Sequence, residues 1–250
     1  RIARRAARTA GAIQLKAVAS GIPEPSLKDD RSPVTRVDTE CEQSIISELR
    51  GAFARDGFLG EESGATGNPG TGRRWIIDPL DGTRPFIHGI PTYSVLIALE
   101  DRGEPVVGVA FLPGMQEEYY AAAGSGAFCN DRRISVSSTS ALGDVFGCGF
   151  GFREKAHSPE AANLLACMNR WDYAYGFMDV YSYMCVARGA MDACVNLCDK
   201  PWDCAAAACI VREAGGCFSD ITGRETIYGG TFIASNGRVH SDIVTHLAAH

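Results

Sequence analysis

Residues 75–86 read WIIDPLDGTRPF. The stretch opens on Trp75, Ile76 and Ile77 and closes on two aspartates, two prolines, a glycine and a threonine among its last nine residues. An apolar run bounded by turn residues reads as a buried strand with a polar exit. Pro79 fixes one backbone angle there, and a turn brings Asp78 and Asp81, three residues apart, to the same side. Hard divalent ions seek such oxygens. In this reading Asp78 bridges two Mg²⁺ ions, Asp81 holds one, and the Leu80 carbonyl supplies a further ligand. Gly82 has no Cβ, so its backbone can approach an anion closely, and Thr83 stands where a helix can start with Pro85 in its first turn. A phosphate fits that helix start. The strand is then a rigid platform, and the reaction class it points to is metal-assisted phosphoester hydrolysis.

Two further acids stand beside turns, Glu61 in LGEESG and Asp203 in PWDCAA. Each of the four also has a purely structural reading, because Asp and Glu at turns and helix starts commonly cap. Asp203 in particular reads equally as the N-cap of a helix that ends at Gly215 and Gly216.

Working outward, residues 2–20 fit a helix, which the link GIPEPSLKDDRSP breaks. A second helix is expected from Asp38 or Thr39, with Ile45, Ile46, Leu49 and Phe53 on one face. Strands are expected at 58–60, 74–78, 93–101, 105–113 and 117–123, so the segment from 24 to 136 is mostly sheet behind two helices. After SVSSTSALGD the texture changes to alternating helices and short strands. The fold class is therefore α/β, an α+β half over 1–140 joined to an α/β half over 141–250, with a soft boundary near 137–143.

A chain of 250 residues buries roughly 70 to 75% of its unfolded surface and needs no staples. With 24 basic against 30 acidic side chains it has no sequence-wide positive field, which argues against nucleic acid as a partner. No apolar run is long enough for an ordinary membrane-spanning helix. The ten cysteines form no Cys-x-x-Cys pair and mostly sit in apolar segments, a pattern that fits reduced, buried thiols better than zinc or disulfides. A cytoplasmic location is expected. The basic opening RIARRAARTA reads as a structural helix, and organellar import stays open because the chain begins at Arg1.

Taken in order, LGEESG (59–64), WIIDPLDGT (75–83), GSGAFCN (124–130) and PWDCAAAACIVREAGG (201–216) resemble the Mg²⁺-dependent, lithium-sensitive phosphatases typified by inositol monophosphatase. The resemblance covers nearly the whole chain. It implies a layered αβαβα sandwich, a homodimer, and hydrolysis of small phosphomonoesters with two or three Mg²⁺ ions per site. Carried over by position, Glu61, Asp78, the Leu80 carbonyl, Asp81 and Asp203 form the metal shell. Thr83 with Glu61 orients the attacking water, Asp38 supports Thr83, and Gly82 with Thr83 receives the phosphate. Asp81 and Asp203 also border the substrate.

The substrate pocket divides the resemblance. Inositol phosphatases read Gly-Thr-Ala-Ala where this chain has Phe177, Met178, Asp179 and Val180. An acid followed by aromatics, DVYSY, is instead similar to the histidinol-phosphate phosphatases of the same superfamily, as are TRPFIHGIP and GGTFIASNGRVH. A carboxylate at Asp179 suits the ammonium or imidazolium of histidinol phosphate, whereas inositol offers only hydroxyls. A helix N-cap is the structural alternative for Asp179. Seven residues before Asp203, where both branches carry a substrate-contacting glutamate, stands Asn196, which can hydrogen-bond a substrate but brings no charge. Tyr173, Tyr175 and Tyr181 read equally as pocket lining or core. The expected activity is therefore histidinol-phosphate hydrolysis. Inositol or broader sugar-phosphate hydrolysis is the alternative, and a metal-binding regulatory protein on the same fold is a reading from another class.

Overall fold

The computed structural model describes residues 1–28, 32–67, 70, 72–176 and 179–248. The chain opens with helix α1 (Ile2–Ser20), the two-residue strands β1 (Ser26–Leu27) and β2 (Pro33–Val34), and helix α2 (Arg36–Ala52). Helix α2 begins earlier than its apolar periodicity implies. The Thr35 hydroxyl accepts the Val37 N–H at 3.1 Å, and the Asp38 carboxylate accepts the Thr35 N–H at 2.8 Å. This reciprocal cap places the helix start before Asp38, close behind the proline-rich link.

Strands β3 (Gly57–Gly60), β4 (Gly64–Thr66) and β5 (Arg73–Asp81) follow, then the short helix α3 (Thr83–Ile87). Strands β6 (Ser94–Asp101), β7 (Glu104–Leu112), β8 (Glu117–Ala122), β9 (Gly126–Cys129) and β10 (Arg132–Ile134) complete an eight-stranded sheet of order β10-β9-β8-β7-β6-β5-β3-β4. Only the β3–β5 pair in it is parallel. The second sheet draws on β11 (Phe146–Phe150), β12 (Tyr173–Tyr175), β13 (Ala193–Asn196), β14 (Cys217–Ser219) and β15 (Phe232–Ser235), in the order β12-β11-β13-β15-β14. Helices α4 (Pro159–Met168), α5 (Asp179–Ala187), α6 (Pro201–Glu213) and α7 (His240–Ala248) complete the second half of the chain.

Three apolar cores hold five layers together, the middle one filling both sides of the α5–α6 layer. One joins α1 and α2 to Trp75, Ile77, Val95 and Ile97. A second joins Ile76, Leu96 and Ala98, on the opposite face of the same strands, to α5, α6 and one face of the small sheet. The third joins Ala193, Val195 and Ile233 to α4 and α7. The alternation of Val95, Leu96, Ile97 and Ala98 between two cores is the period-two signature of a strand buried on both faces. The result is an αβαβα sandwich, as the resemblance implies. Helix α6 packs closely in the middle layer: a Cβ on Gly108 of β7 would fall 2.4 Å from the Ala206 carbonyl, so the glycine and the run Ala205–Ala208 let the helix lie close between sheets.

Strand β5 runs three residues beyond its expected end. Asp78 pairs with Leu96 and Asp81 with Ser94, with a register shift between them. Residues three apart in a regular strand point to opposite faces, but this irregularity sets three steps of β5 against two of β6, so both aspartates face the α5–α6 layer. Pro79, which has no N–H for the ladder, sits within the shift.

Candidate active site

The β5 exit opens into a cleft of about 390 Å³ lined by Glu61, Asp78, Leu80, Asp81, Gly82, Thr83, Asp179, Asn196 and Asp203. Residues predicted from separate motifs thus share one cavity, of a size suited to a small ligand. Asp38 does not line it. It stands behind Thr83, whose hydroxyl lies 3.3 Å from Asp38 Oδ1 and 3.1 Å from the Leu80 carbonyl.

Local geometry explains each position. Asp78 accepts the Leu80 N–H at 3.0 Å, closing the bulge on itself. Asp81 accepts the Ser94 hydroxyl at 3.1 Å and the Val180 N–H at the start of α5 at 3.4 Å. Asp203 is not the N-cap of α6, which is Lys200; it stands at the third helical position and accepts the Lys200 N–H at 2.8 Å, so it caps from inside the first turn. It caps and lines the cleft at once. Gly82 has φ +75°, and a Cβ there would stand 3.3 Å from Asp179 Oδ2 and 3.4 Å from Tyr93 Cα. Both the left-handed backbone and the crowding favour glycine. Glu61 follows β3, and its N–H donates to the Ile77 carbonyl at 3.1 Å. Its turn is held from beneath by buried Glu42, which accepts the N–H groups of Glu62 and Ser63, each at 2.9 Å.

The electrostatics are those of negative charge in excess. Burial, then the charge of Glu61, Asp81 and Asp203, pushes the Asp78 carboxyl well up; burial, then Asp179 and Asp203, does the same to Asp81. Asp203 is pushed up to about 7, chiefly by burial, with the Lys200 amide pulling the other way. Asp38 is also raised by burial, against its bonds to Thr35. Lys28 makes direct ion pairs here, its ammonium reaching Glu61 at 2.7 Å and Glu62 at 2.6 Å, while Arg84 also lines the cleft and Lys200 acts on Asp203. Oxygen donors that repel one another when ionised suit a hard divalent cation. Among the described residues no three carboxylate, imidazole or thiol groups already converge on one point as ligands. The donor chemistry fits all the same. Lys28 is engaged by Glu61 and Glu62, and Glu61, Asp78, the Leu80 carbonyl, Asp81 and Asp203 are the oxygens available to hold a metal ion.

The far wall departs more from expectation. Asp179 begins α5 in the left-handed region, φ +42°, and faces the cleft beside Gly82. Phe177 and Met178 lie outside the described residues. Tyr173 and Tyr175 are about half exposed on the edge strand β12, and Tyr181 turns to Arg188, so none of the three lines the cleft. Tyr183 does, because it lies three residues from Val180 on the same face of α5. Asp199 also lines the cleft and is buried. The sequence reading takes Tyr183 only as one of the aromatics of DVYSY and passes over Lys28, Glu42 and Asp199. Of these three, only Asp199 carries a signal, an acid between Asn196 and Asp203.

Known proteins place this architecture. The model of the inositol monophosphatase family matches residues 1–250. A histidinol-phosphatase of Chlorobaculum parvum is 40% identical over 83% of this chain and 80% of its own length. An inositol-1-monophosphatase of Mesorhizobium japonicum is 38% identical over 84% and 81%. The crystal structure of the extragenic suppressor protein suhB from Bartonella henselae superposes with a TM-score of 0.92 at 33% identity, covering 99% of this chain and 97% of that one. Sequence and fold agree, and the chain belongs to the inositol monophosphatase family.

Proposed function

We propose that this chain hydrolyses L-histidinol phosphate to L-histidinol and phosphate with the help of Mg²⁺. Phosphatase chemistry is common ground for the family, whose members are generally Mg²⁺-dependent. The observation that carries the substrate is Asp179, a cleft carboxylate packed against Gly82 where a phosphate is received. An acid beside the bound phosphate favours an ester whose alcohol carries a cation.

Bound divalent ions supply charge neutralisation at the phosphate and a lowered pKa for water. The chain's own groups do the rest. Gly82 and Thr83 receive the phosphate oxygens. The Thr83 hydroxyl, held by Asp38 and the Leu80 carbonyl, keeps a lone pair for one water proton, and Glu61 accepts the other. Water oxygen bonds to phosphorus, the ester P–O bond breaks, and the proton taken by Glu61 passes through solvent to the departing oxygen, which becomes the alcohol. Asp179 holds the cation of that alcohol.

Asn196 favours a second reading, inositol or sugar phosphates, since its amide brings no charge to the wall. The relative named suhB raises a regulatory role, against which stands the complete set Glu61, Asp78, Asp81, Thr83 and Asp203, more than a binding surface needs. Phosphate release from L-histidinol phosphate, inositol 1-phosphate and fructose 1,6-bisphosphate, each with Mg²⁺ and with excess chelator, tests all three. The proposal expects the first ester to be preferred and chelator to abolish turnover. Preference for inositol 1-phosphate overturns the substrate, and no turnover of any ester overturns the enzyme.

A further inference from the structure

Asn196 is occupied. Its Oδ1 accepts the Cys198 N–H at 3.0 Å, and its Nδ2 donates to Asp199 Oδ1. Gly151, at φ +84°, closes over the same turn, for a Cβ there would fall 2.8 Å from Asn196 Oδ1 and 2.9 Å from the Leu197 nitrogen. The Asp199 N–H is fixed to the Gly230 carbonyl at 3.0 Å. Both ends of the asparagine amide therefore hold the turn from 196 to 199, and the group the turn carries is the Asp199 carboxylate.

That carboxylate is unusually placed. Asp199 is 5% exposed and borders the cleft together with Asp179, Asn196 and Tyr183. Its Oδ2 accepts the Tyr183 hydroxyl at 2.6 Å, so among the described residues both of its side-chain donors are neutral. Burial and the nearby charge of Asp203 raise its pKa, while the donors from Tyr183 and Asn196 favour the ionised form. A buried carboxylate with hydrogen bonds but no compensating cation is costly, and a cationic ligand in the cleft relieves that cost. The tyrosine and the asparagine fix its direction, as a preorganised recognition group requires.

We propose that Asp199 is a specificity-determining residue that receives a basic nitrogen of the leaving alcohol, with Asn196 and Tyr183 as its positioning residues. The inference rests on the histidinol-phosphate reading and deepens it. Asp179, beside Gly82, and Asp199, on the turn before α6, are two separate acids on one wall, which suits an alcohol bearing two basic nitrogens rather than one. The charge missing at Asn196 is restored three residues along the chain.

The test compares kcat/KM for L-histidinol phosphate and inositol 1-phosphate on wild type, Asp199→Asn and Asp199→Glu, with Mg²⁺ activation curves and urea unfolding on the same preparations. The ratio of the two specificity constants should fall roughly 10- to 100-fold in Asp199→Asn, the span of a lost charge-assisted hydrogen bond. Inositol 1-phosphate turnover and the Mg²⁺ requirement should stay within about threefold, scatter well below one such bond. Asp199→Glu, which keeps the charge, should keep most of the ratio and serves if the asparagine variant unfolds. Equal loss for both esters with a higher Mg²⁺ requirement assigns Asp199 to the metal shell and overturns the inference. An unchanged ratio makes Asp199 a structural turn acid and overturns it equally. A wild type that prefers the histidinol ester while Asp199→Asn keeps that preference removes Asp199 alone. A wild type without the preference removes the substrate reading and Asp199 together.

Discussion

The floor and the far wall of the cleft are built in opposite ways. The floor comes from one contiguous stretch: a β5 bulge turns Asp78 and Asp81 to the same face, and Gly82 and Thr83 follow within two residues. The wall is assembled from two stretches, the start of α5 and the 196–199 turn that leads into α6, separated in sequence from each other and from β5. Chemistry common to many substrates can be written locally on a rigid strand, whereas recognition of one leaving group is spread over several elements that can change separately. Damage to the floor should therefore abolish turnover of every ester, and damage to the wall should redistribute turnover among esters.

Asp78→Asn should give the largest effect. Removing the charge of a carboxylate that would help to hold the metal should lower Mg²⁺-dependent turnover by roughly 10³-fold, equivalent to several kcal/mol of transition-state charge stabilisation. Mg²⁺ titration calorimetry should show weaker binding while the urea midpoint changes little. Near-normal activity, or a loss confined to one ester, would dissolve the distinction between floor and wall.

Thr83→Ala comes next. In the proposed reaction the hydroxyl orients water and does not read the alcohol, so turnover should drop on the order of 10²-fold for all esters with KM nearly unchanged. A rise in KM with turnover intact would move Thr83 from water to substrate.

On the wall, Asp179→Asn should cost about 1 to 3 kcal/mol in kcat/KM for L-histidinol phosphate and leave inositol 1-phosphate nearly untouched. Asparagine still caps a helix, so a capping role alone predicts little change for either ester.

The smallest effect concerns stability. Asp203 holds its proton up to about pH 7 in the folded chain, against an ordinary carboxyl value of 3.8. Between those values the unfolded chain has lost a proton that the folded chain keeps, so raising the pH favours unfolding. Metal-free protein should lose thermal stability from about pH 4 to pH 7 through this group, with Asp203→Asn flattening the slope. Mg²⁺ should raise Tm more at about pH 8 than at about pH 5, where protons compete for the same oxygens. A Tm that climbs over this range in the metal-free wild type, with no difference from Asp203→Asn, would mean that the cleft carboxylates are already compensated.

The same contrast governs what the sequence discloses. The floor is legible because an apolar strand, its proline and its acids are neighbours, and only the form of the junction differs, a bulge within β5 in place of a turn after it. The start of α2 falls earlier than expected because apolar spacing locates a helix face and not its first residue, which the Thr35–Asp38 cap decides. The wall is partly hidden. Asp179 stands out beside aromatics, but the local turn that ties Asn196 to Cys198 and Asp199 has no periodic signature, and the reach of Tyr183 to Asp199 exists only after α5 is packed against the turn that follows β13. Likewise, nothing local links Glu42 to the turn carrying Glu61, twenty residues away in sequence for its Glu62 contact.

The most direct measurement is internal competition. L-histidinol phosphate and inositol 1-phosphate at equal concentration in one vessel, with wild-type protein and Mg²⁺, are followed together by ³¹P NMR, so that the two rates report the ratio of specificity constants whatever the active fraction. A wall with a carboxylate for a cationic alcohol predicts consumption of L-histidinol phosphate first, by at least about tenfold, as one charge-assisted contact supplies. Equal consumption, or inositol 1-phosphate first, would contradict it.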